Sequence, residues 1–268
     1  MAMSVPQTAP ELTKTMLSGE AIAEQFHRNL LSNEAAMEYV LSRGIKQSQI
    51  DAGLVGLCSA YSNHWFPLMR GRITVPIRDA HGKILAFAGR QHEPMRELTE
   101  RALWDKYSDE PKKAEDRVQK WLKGKWLNEP FPKNRHLYNL DLAKDAAREM
   151  GYLVIVEGYF DALVLAGRSL PNTVAVCGVA LSDYHCALIA RYCRRVVVIL
   201  DPDAAGQKGL AKMIPKLEDA SIEWHAVYLP DNYDPDQFAI KFGGKNLRRG
   251  IEQMIEADNK ELKINIKE

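Results

Sequence analysis

The chain has 268 residues, of which 46% are hydrophobic and 26% are charged, and its formal net charge is +1. This composition is typical of a globular protein and excludes a collagen-like or disordered chain. No apolar run approaches the roughly 18 residues that a membrane-spanning helix requires, and the N-terminus lacks the basic start and apolar stretch of a secretory signal. We therefore expect a cytoplasmic protein without a membrane partner.

The four cysteines form no C-x-x-C pair, and no histidine stands at zinc-finger spacing from them. A structural zinc site needs such closely spaced thiolates and imidazoles. The sequence therefore predicts no zinc in this chain. Four thiols in a chain of this length also do not suggest a disulfide framework, so we expect buried free cysteines.

The N-terminal region predicts a flexible lead-in followed by short helices. Residues 1–18 are rich in Thr, Pro and Ser and show no regular period. In residues 19–52, apolar side chains recur at the spacing of a helix face, and Asn33 stands where it could cap a second helix. We expect this region to open a mixed α+β subdomain that covers residues 19–136.

Residues 70–90 change to the alternation of a strand hairpin, with a turn at 79–83. Pro76 lacks an N–H donor and favours an edge position for the first strand. Residues 91–124 hold equal numbers of acids and bases, which favours an exposed charged insertion or a solvated helix. Three tryptophans are expected to attach it to the body: Trp104, Trp121 and Trp126.

From about residue 137, apolar strands alternate with helices of 10–15 residues. The strands are predicted in YLVIVEG, TVAVCG, RVVVILD and IEWHAVYLP. This alternation is typical of a parallel, Rossmann-like sheet with right-handed crossovers. The fold class is therefore α/β, with this subdomain over residues 137–245 and a helical tail or stub over residues 246–268. No G-x-G-x-x-G or P-loop motif supports a dinucleotide or P-loop site.

Carboxylates follow two of the predicted strands directly. Glu157 ends the first strand, and Asp201 and Asp203 end the third in the run LDPD. Ligands of open α/β sheets bind outside the carboxyl ends of the strands, and clustered carboxylates are costly unless a cation neutralises them. Hard oxygen ligands suit Mg²⁺ or Mn²⁺. The alternative is that these acids are solvated or cap the next helix.

A second acidic run follows the fourth strand in LPDNYDPDQF and contains Asp234 and Asp236. Two interpretations of this run carry equal weight. The acids could hold a further metal ion, or they could serve the turn chemistry that Asp, Asn and Pro favour.

Six segments of the chain resemble segments of the DnaG-type primases of bacteria and phages. VEGYFDAL and LDPDAAG resemble the acidic motifs of the TOPRIM domain, and AVCGVALS and LPDNYDPDQF resemble its intervening and following stretches. RITVPIRDAHGKILAFAGR is similar to the hairpin of the primase core, and KWLNEPFPKNRHLYNL to the segment that leads into the TOPRIM fold. The resemblance covers about residues 20–245.

The resemblance implies a nucleotidyltransferase that synthesises RNA primers on a single-stranded DNA template from NTPs. Glu157, Asp201 and Asp203 would hold divalent metals and be catalytic, and Asp234 and Asp236 fall where the family also has acids. Gly158, Asp161 and Gly206 would support the site. The residues expected to contact nucleotide or template are Arg72, Arg78, Arg90, Lys125, Asn128, Lys133 and Arg135.

The segments typical of the family's zinc-binding domain and helicase-binding domain are not recognised in this sequence. We therefore expect an excised core, a stand-alone or phage-encoded primase, or a subunit that works with a separate zinc-binding subunit or a replicative helicase. Two other functions stay open: a TOPRIM-type metal-dependent nuclease, and a non-catalytic accessory subunit that keeps the fold. The hairpin and the KWLN segment favour the primase, because a minimal TOPRIM nuclease would not need them.

Overall fold

The computed structural model describes residues 18–63, 66–178, 180–199, 204–230 and 233–264. Within these ranges the chain forms an antiparallel sheet of four strands and a parallel sheet of five, with helices packed on both. This architecture confirms the predicted α/β fold class. None of the described helices is long and apolar enough to cross a membrane.

Three short helices precede the first sheet, as the sequence predicts. They are α1 (Gly19–Leu31), α2 (Glu34–Ser42) and α3 (Gln47–Gly53). The side chain of Ser18 caps α1, and that of Asn33 caps α2 as predicted. In each case the side-chain oxygen accepts a hydrogen bond from the backbone N–H three residues later, which satisfies a donor that the first turn leaves open.

The antiparallel sheet has the strand order β1-β2-β3-β4. Its strands are β1 (Gly56–Leu57), β2 (Arg72–Arg78), β3 (Ile84–Gln91) and β4 (Trp126–Asn128). The predicted hairpin is confirmed as β2 and β3. Pro76 lies in an inner strand, but the described β1 pairs only with Ile73 and Thr74. At Pro76, β2 therefore has a ladder partner in β3 alone, so a residue without an N–H is tolerated there.

Two helices connect β3 to β4, where the sequence predicts a charged insertion. They are α4 (Arg96–Lys106) and α5 (Pro111–Lys123). Trp121 is fully buried, and its indole N–H donates to the Arg70 carbonyl over 2.8 Å. Trp104 is 44% exposed, so the prediction that it anchors this region is wrong. Its position on the outer face of α4 cannot be deduced from composition alone.

The parallel sheet has the order β6-β5-β7-β8-β9. The four predicted strands are confirmed as β5 (Leu153–Val156), β6 (Thr173–Ala175), β7 (Arg195–Ile199) and β8 (Glu223–Tyr228). The helices between and before them are α6 (Leu140–Met150), α7 (Tyr159–Ala166), α8 (Asp183–Ile189) and α9 (Ala204–Asp219). The chain moves from β5 to β6 on one side and then to β7 on the other, so the order reverses between β5 and β7.

The C-terminal region combines a helix with an additional strand. After the short α10 (Pro235–Phe238) and one π-helical turn, α11 (Gly244–Glu256) forms the predicted tail helix. The chain then adds β9 (Glu261–Lys263), which pairs with β8 in parallel. The strand β9 is an element that the prediction of a helical tail or stub did not include. β9 has only three residues and is largely exposed, so its sequence contains no apolar run that would predict a strand.

One hydrophobic core connects the two sheets. Its buried side chains include Leu30 of α1, Val75 of β2, and Val154 and Val156 of β5. The alternate residues of β5 face a second core on the other side of the parallel sheet. β5 is thus buried on both faces, as expected for a central parallel strand. The first core contains side chains of both predicted subdomains. The predicted boundary between them near residue 137 stays a prediction.

Candidate active site at the junction of the two sheets

Glu157 lies at the point where the parallel sheet reverses its strand order. It follows β5 directly, and β5 pairs with β7 in the register Ile155 to Val198. A crevice at the carboxyl ends of two such strands is the usual ligand site of an open α/β sheet. The other two predicted metal ligands, Asp201 and Asp203, lie outside the described residues.

The carboxylate of Asp161 lies close to Gly158, the residue that follows Glu157. A β-carbon placed on Gly158 would lie 2.4 Å from the Asp161 carboxylate oxygen, so a side chain there would displace this carboxylate. Asp161 occupies the first turn of α7, where a negative charge complements the helix dipole. The supporting roles predicted for both residues remain predictions, but their contact gives the glycine a physical reason.

The second acidic run separates into two environments. Asp234 is exposed at the N-terminal end of α10, whereas Asp236 is 2% exposed. One Asp236 carboxylate oxygen accepts a hydrogen bond from Arg43 Nη2 over 2.7 Å, and the other accepts the Gln237 N–H over 2.7 Å. The structure therefore favours an ion-pair role for Asp236 over the predicted metal ligation.

Arg90 reaches the junction from β3. Its guanidinium lies 5.6 Å from the ring centroid of Trp126 on β4 and 5.1 Å from that of Phe160 on α7. Its Nε donates to the hydroxyl oxygen of Tyr39 on α2. Cation–π contacts of this kind hold a guanidinium in place without neutralising it by an acid. Arg90 is thus a fixed, mostly buried positive charge between the two sheets.

Asn128 and Tyr159 connect the sheets by a hydrogen bond. The Tyr159 hydroxyl donates to Asn128 Oδ1 over 2.6 Å, which leaves the amide nitrogen of Asn128 as the group available to other acceptors. Tyr159 is 4% exposed, and its ring contacts Trp126 and Tyr138. Because Tyr159 is two residues from Glu157, this bond ties the candidate template-contacting residue to the acidic edge.

Arg72 is fully buried and bonds only to backbone carbonyls among the described residues. Its nitrogens donate to four of them, those of Leu68, Gly89, Trp121 and Gly124. Burial lowers the pKa of its guanidinium to about 10. The structure therefore favours a structural role for Arg72, the attachment of the α5 C-terminus to the sheet, over the predicted nucleotide contact. The residue type and hairpin position gave no sign of this burial.

The remaining predicted basic residues occupy different settings. Arg78 is largely buried, lies 3.6 Å from the Asp141 carboxylate and donates to the Gly53 carbonyl. Lys125 is exposed beside β4, and Lys133 is half-buried. Arg135 is exposed, and its guanidinium lies 4.5 Å from the ring centroid of Tyr184. Arg90, Lys125 and Asn128 lie on or beside the neighbouring strands β3 and β4. Lys133 and Arg135 lie next to α8 instead.

Gly206 is buried in the first turn of α9, after the LDPD run. Its supporting role stays a prediction.

A buried carboxylate that the sequence analysis missed follows Asn128. Glu129 is 4% exposed, and its Oε2 accepts the Phe87 N–H over 2.9 Å. Burial raises the pKa of this carboxyl to about 7, against the smaller opposing effect of the hydrogen bond. The sequence places Glu129 in a polar segment, so only the structure shows that the group is buried.

Tyr39, Arg43, Tyr159 and Phe160 also shape the site without having been predicted. A signal existed for the last two, because a pair of aromatic residues directly after a strand-end Glu-Gly is unusual for a solvated helix start. No comparable signal existed for Tyr39 and Arg43, since their contacts are 51 and 193 residues away in sequence.

The donor set at the sheet reversal fits a divalent cation better than a soft metal. Glu157 follows β5 at this point, and its carboxylate oxygens are ligands of the kind that Mg²⁺ and Mn²⁺ prefer. Among the described residues, no group of three His, Cys, Asp or Glu side chains is placed to hold a metal. The predicted site depends on Asp201 and Asp203, which lie outside that part of the chain.

Residues 154–239 match the family model described as Toprim-like. The chain is 30% identical to the DNA primase of Aquifex aeolicus over 89% of its own length and 49% of the relative's. It therefore spans about half the length of that protein.

Solved structures show the same similarity. The crystal structure of the Aquifex aeolicus primase (zinc binding and RNA polymerase domains) aligns with a TM-score of 0.71 at 28% identity, over 87% of this chain and 59% of that one. A structure of the DnaG primase catalytic domain bound to ssDNA aligns with a TM-score of 0.66, over 87% of this chain and 76% of that one. Its 23% identity supports the shared fold alone.

Proposed function

Because the chain belongs to the DnaG-type primases through their catalytic core and Toprim domain, we propose that it synthesises RNA primers on single-stranded DNA. The reaction is a nucleotidyl transfer in which the 3′-hydroxyl of one nucleotide attacks the α-phosphate of an incoming NTP, and pyrophosphate leaves. Primases of the Toprim type use divalent metals, and we assign Mg²⁺ or Mn²⁺ to this chain.

The acidic edge would hold the metal. Glu157, Asp201 and Asp203 are the proposed ligands, and the exposed Asp234 is the acid available for a further ion. When bound, divalent metal neutralises charge on the transferring phosphoryl group and lowers the pKa of the attacking hydroxyl. The protein's part would be to keep these carboxylates close together, and the lack of a side chain at Gly158 leaves room there for the Asp161 carboxylate.

The basic side of the junction would hold phosphates. Arg90 is held between aromatic rings, Lys125 is exposed beside β4, and Asn128 offers its amide nitrogen. Guanidinium and ammonium groups bind phosphate by charge-assisted hydrogen bonds. We propose that these residues contact the NTP and template, with Lys133, Arg135 and Arg78 as weaker candidates and Arg72 excluded from contact by its burial.

The single observation that supports this function best is the Tyr159–Asn128 hydrogen bond. It joins the strand that carries the candidate nucleotide contacts to the helix that follows Glu157. A metal-dependent nuclease needs the acidic edge but has no need of the antiparallel sheet that supplies Asn128 and Arg90. The junction therefore favours synthesis over cleavage.

The test incubates the protein with single-stranded DNA, labelled NTPs and Mg²⁺ or Mn²⁺, beside Glu157→Gln and Asp201→Asn variants. We expect short labelled RNA that requires NTPs and the template and is absent with both variants. Metal-dependent shortening of the DNA without RNA would instead establish the nuclease. Neither product, with no thermal shift on addition of metal, would establish a binding subunit.

We also propose that a zinc-binding module or a replicative helicase works with this core as a separate partner. The support is that the Aquifex aeolicus structure, to which this chain is similar, is described as containing a zinc-binding domain beside its RNA polymerase domain. Addition of such a partner should raise primer yield. An unchanged yield would contradict the partnership without affecting the core activity.

A further inference from the structure

The segment between β3 and β4 is divided into a basic helix, α5, and an acidic remainder. As a whole, residues 91–124 hold eight bases and eight acids. The helix α5 alone holds five bases and two acids, whereas the remainder holds three bases and six acids. An insertion that is merely solvated gains nothing from such a separation, because mixed charges keep a surface soluble equally well.

The bases of α5 lie on one face. Its buried residues are Ala114, Val118 and Trp121. At 100° per residue, the opposite face carries Asp116 and four exposed lysines: Lys112, Lys113, Lys120 and Lys123. The helix has 13 residues, so this lysine face extends over roughly 20 Å. No comparable row of lysines was expected from the neutral composition of the insertion.

The lysine face is held rigidly. Arg72 donates to the carbonyls of Trp121 and Gly124 at the end of α5, and the Trp121 indole N–H donates to the Arg70 carbonyl. Leu68, Leu103 and Val118 pack around the indole in a buried cluster. A fixed helix loses little conformational entropy on binding a ligand, which is what an interaction surface requires.

The lysine face also continues into the candidate active site. Lys123 is two residues from Lys125, whose carbonyl accepts the Gln91 N–H where α5 joins the sheet. The next residue, Trp126, pairs with Arg90 in the β3–β4 ladder and contacts its guanidinium. Positive side chains therefore follow one another from the junction of the sheets along the whole of α5.

Two of the four lysines form ion pairs that a phosphate can replace. Lys120 lies 2.8 Å from Asp116, and Lys113 lies 2.9 Å from Glu110. The side chains of both pairs, two lysines and their two acidic partners, are 44% to 58% exposed. Exposed helix pairs contribute only about 0.3–0.5 kcal/mol. Breaking these pairs therefore costs little free energy when a phosphate binds.

We propose that the lysine face of α5 binds the phosphodiester backbone of the nucleic acid as it passes the catalytic junction. This inference rests on the proposed primase function and adds a surface to it. The ligand chemistry is a row of phosphates, which the single-stranded template and the RNA–DNA hybrid both present. Contacts to phosphate carry no sequence information, so the surface would raise affinity and leave the choice of start site unchanged.

The test measures binding of fluorescein-labelled single-stranded DNA and of an RNA–DNA hybrid by anisotropy over a salt series. The variant carries Lys112→Gln, Lys113→Gln, Lys120→Gln and Lys123→Gln, and glutamine preserves the helix propensity. Each lost phosphate contact makes the slope of log K against log salt less steep by about 0.7, so the four together should change it by about 3. The larger change identifies which of the two nucleic acids the face contacts.

The matched control removes four exposed lysines elsewhere, by Lys46→Gln, Lys83→Gln, Lys245→Gln and Lys260→Gln. It changes net charge equally and should alter the slope far less. An equal change of slope in both variants would overturn the proposal. An unchanged slope in the α5 variant would also overturn it, and would leave a protein partner as the ligand of this face. The substitution Asp116→Asn should have the opposite effect, because removing this acid from the lysine face should tighten the binding of nucleic acid.

The outcome is independent of the primase assay. If the wild-type protein binds DNA but makes no RNA, the proposed function fails and the salt slopes still decide the role of α5. If it makes RNA and the α5 variant binds DNA as the wild type does, the inference fails and the function stands.

Discussion

The two sheets meet at one junction but bring opposite chemistry to it. The parallel sheet supplies acids at its carboxyl edge, with Glu157 directly after β5 and Asp161 in the first turn of α7. The antiparallel sheet supplies positive charge and a hydrogen-bonding amide, through Arg90 and Asn128. Aromatic rings fill the space between them. Under the proposed function, one sheet would bind metal, the other would bind phosphate, and catalysis would need their alignment.

The two sheets also differ in how their polar groups are buried. In the parallel sheet, β5 and β7 are lined by apolar side chains, and the acids follow the strand ends. In the antiparallel sheet, two ionisable groups lie inside: Arg72 among carbonyls and Glu129 against the Phe87 N–H. Stability of this half therefore depends on buried polar contacts, and we expect substitutions there to affect folding more than chemistry.

The largest effect expected is on catalysis by the parallel sheet. Glu157→Gln removes one metal-ligand charge while preserving side-chain shape. We expect primer synthesis to fall by about 10³-fold or more, equivalent to roughly 4 kcal/mol of transition-state stabilisation. Binding of single-stranded DNA, measured by anisotropy, should stay within a factor of about two because the proposed phosphate contacts lie on the other sheet. A parallel loss of DNA binding would contradict the division between the sheets.

The next largest effect is on the stability of the antiparallel sheet. Arg72→Met leaves four carbonyls without their donor, and each buried unsatisfied group costs about 1–3 kcal/mol. We expect the unfolding free energy in urea to fall by about 3–5 kcal/mol. The matched control is Arg135→Met at an exposed site, where the change should be within about 0.5 kcal/mol. Equal effects of the two substitutions would refute the structural role.

The pH dependence of stability offers a third comparison within the same sheet. The pKa of Glu129 is about 7 in the folded protein, against 4.5 for an ordinary glutamate. Between these values the folded state retains a proton that the unfolded chain has released. The unfolding free energy should therefore fall as pH rises through this window, by roughly 3 kcal/mol in full, and the loss should be complete above the folded pKa.

Glu129→Gln should abolish that part of the pH dependence. The glutamine carbonyl can still accept the Phe87 N–H, so the variant should match the wild type near pH 4.5 and exceed its stability above pH 7. Urea unfolding followed by tryptophan fluorescence measures the difference. The exposed Glu256→Gln serves as the control and should leave the profile unchanged. A wild-type profile that is flat between these pH values would show that Glu129 does not titrate in this way.

The same contrast explains how far the sequence could predict the fold. The parallel sheet was predictable because β5 and the last four residues of β7 are buried apolar runs, with Glu157 directly after β5 and Asp201 two residues after β7 in sequence. The strands β1 and β4 were not, since they have only two and three residues and depend on pairing with β2 and β3. Local periodicity does not record such long-range pairing.

The candidate site was predictable by residue type but not by environment. The positions of Glu157 and Asn128 followed from motifs, whereas the burial of Arg72 and the Arg43 pairing of Asp236 did not. A base or an acid is most often exposed, so a sequence gives no reason to expect it inside a protein. The Tyr159–Asn128 bond likewise joins residues 31 positions apart, which no spacing rule anticipates.

The smallest expected effect tests the contact that aligns the sheets. Tyr159→Phe removes the hydroxyl that donates to Asn128 and keeps the ring contacts with Trp126 and Tyr138. One buried hydrogen bond contributes about 1 kcal/mol, so we expect the KM for NTP to rise by about fivefold with a smaller change in kcat.

A double-mutant cycle with Asn128→Ala isolates this effect. If Tyr159 acts by orienting the Asn128 amide, the substitution Tyr159→Phe should have little further effect on KM once Asn128 is alanine, which corresponds to a coupling energy of about 1 kcal/mol. A purely structural role for Tyr159 would instead lower thermal stability and leave the two KM effects additive. Additive effects would therefore show that the hydroxyl does not align the sheets, and that the aromatic packing around Trp126 alone positions β4 against α7.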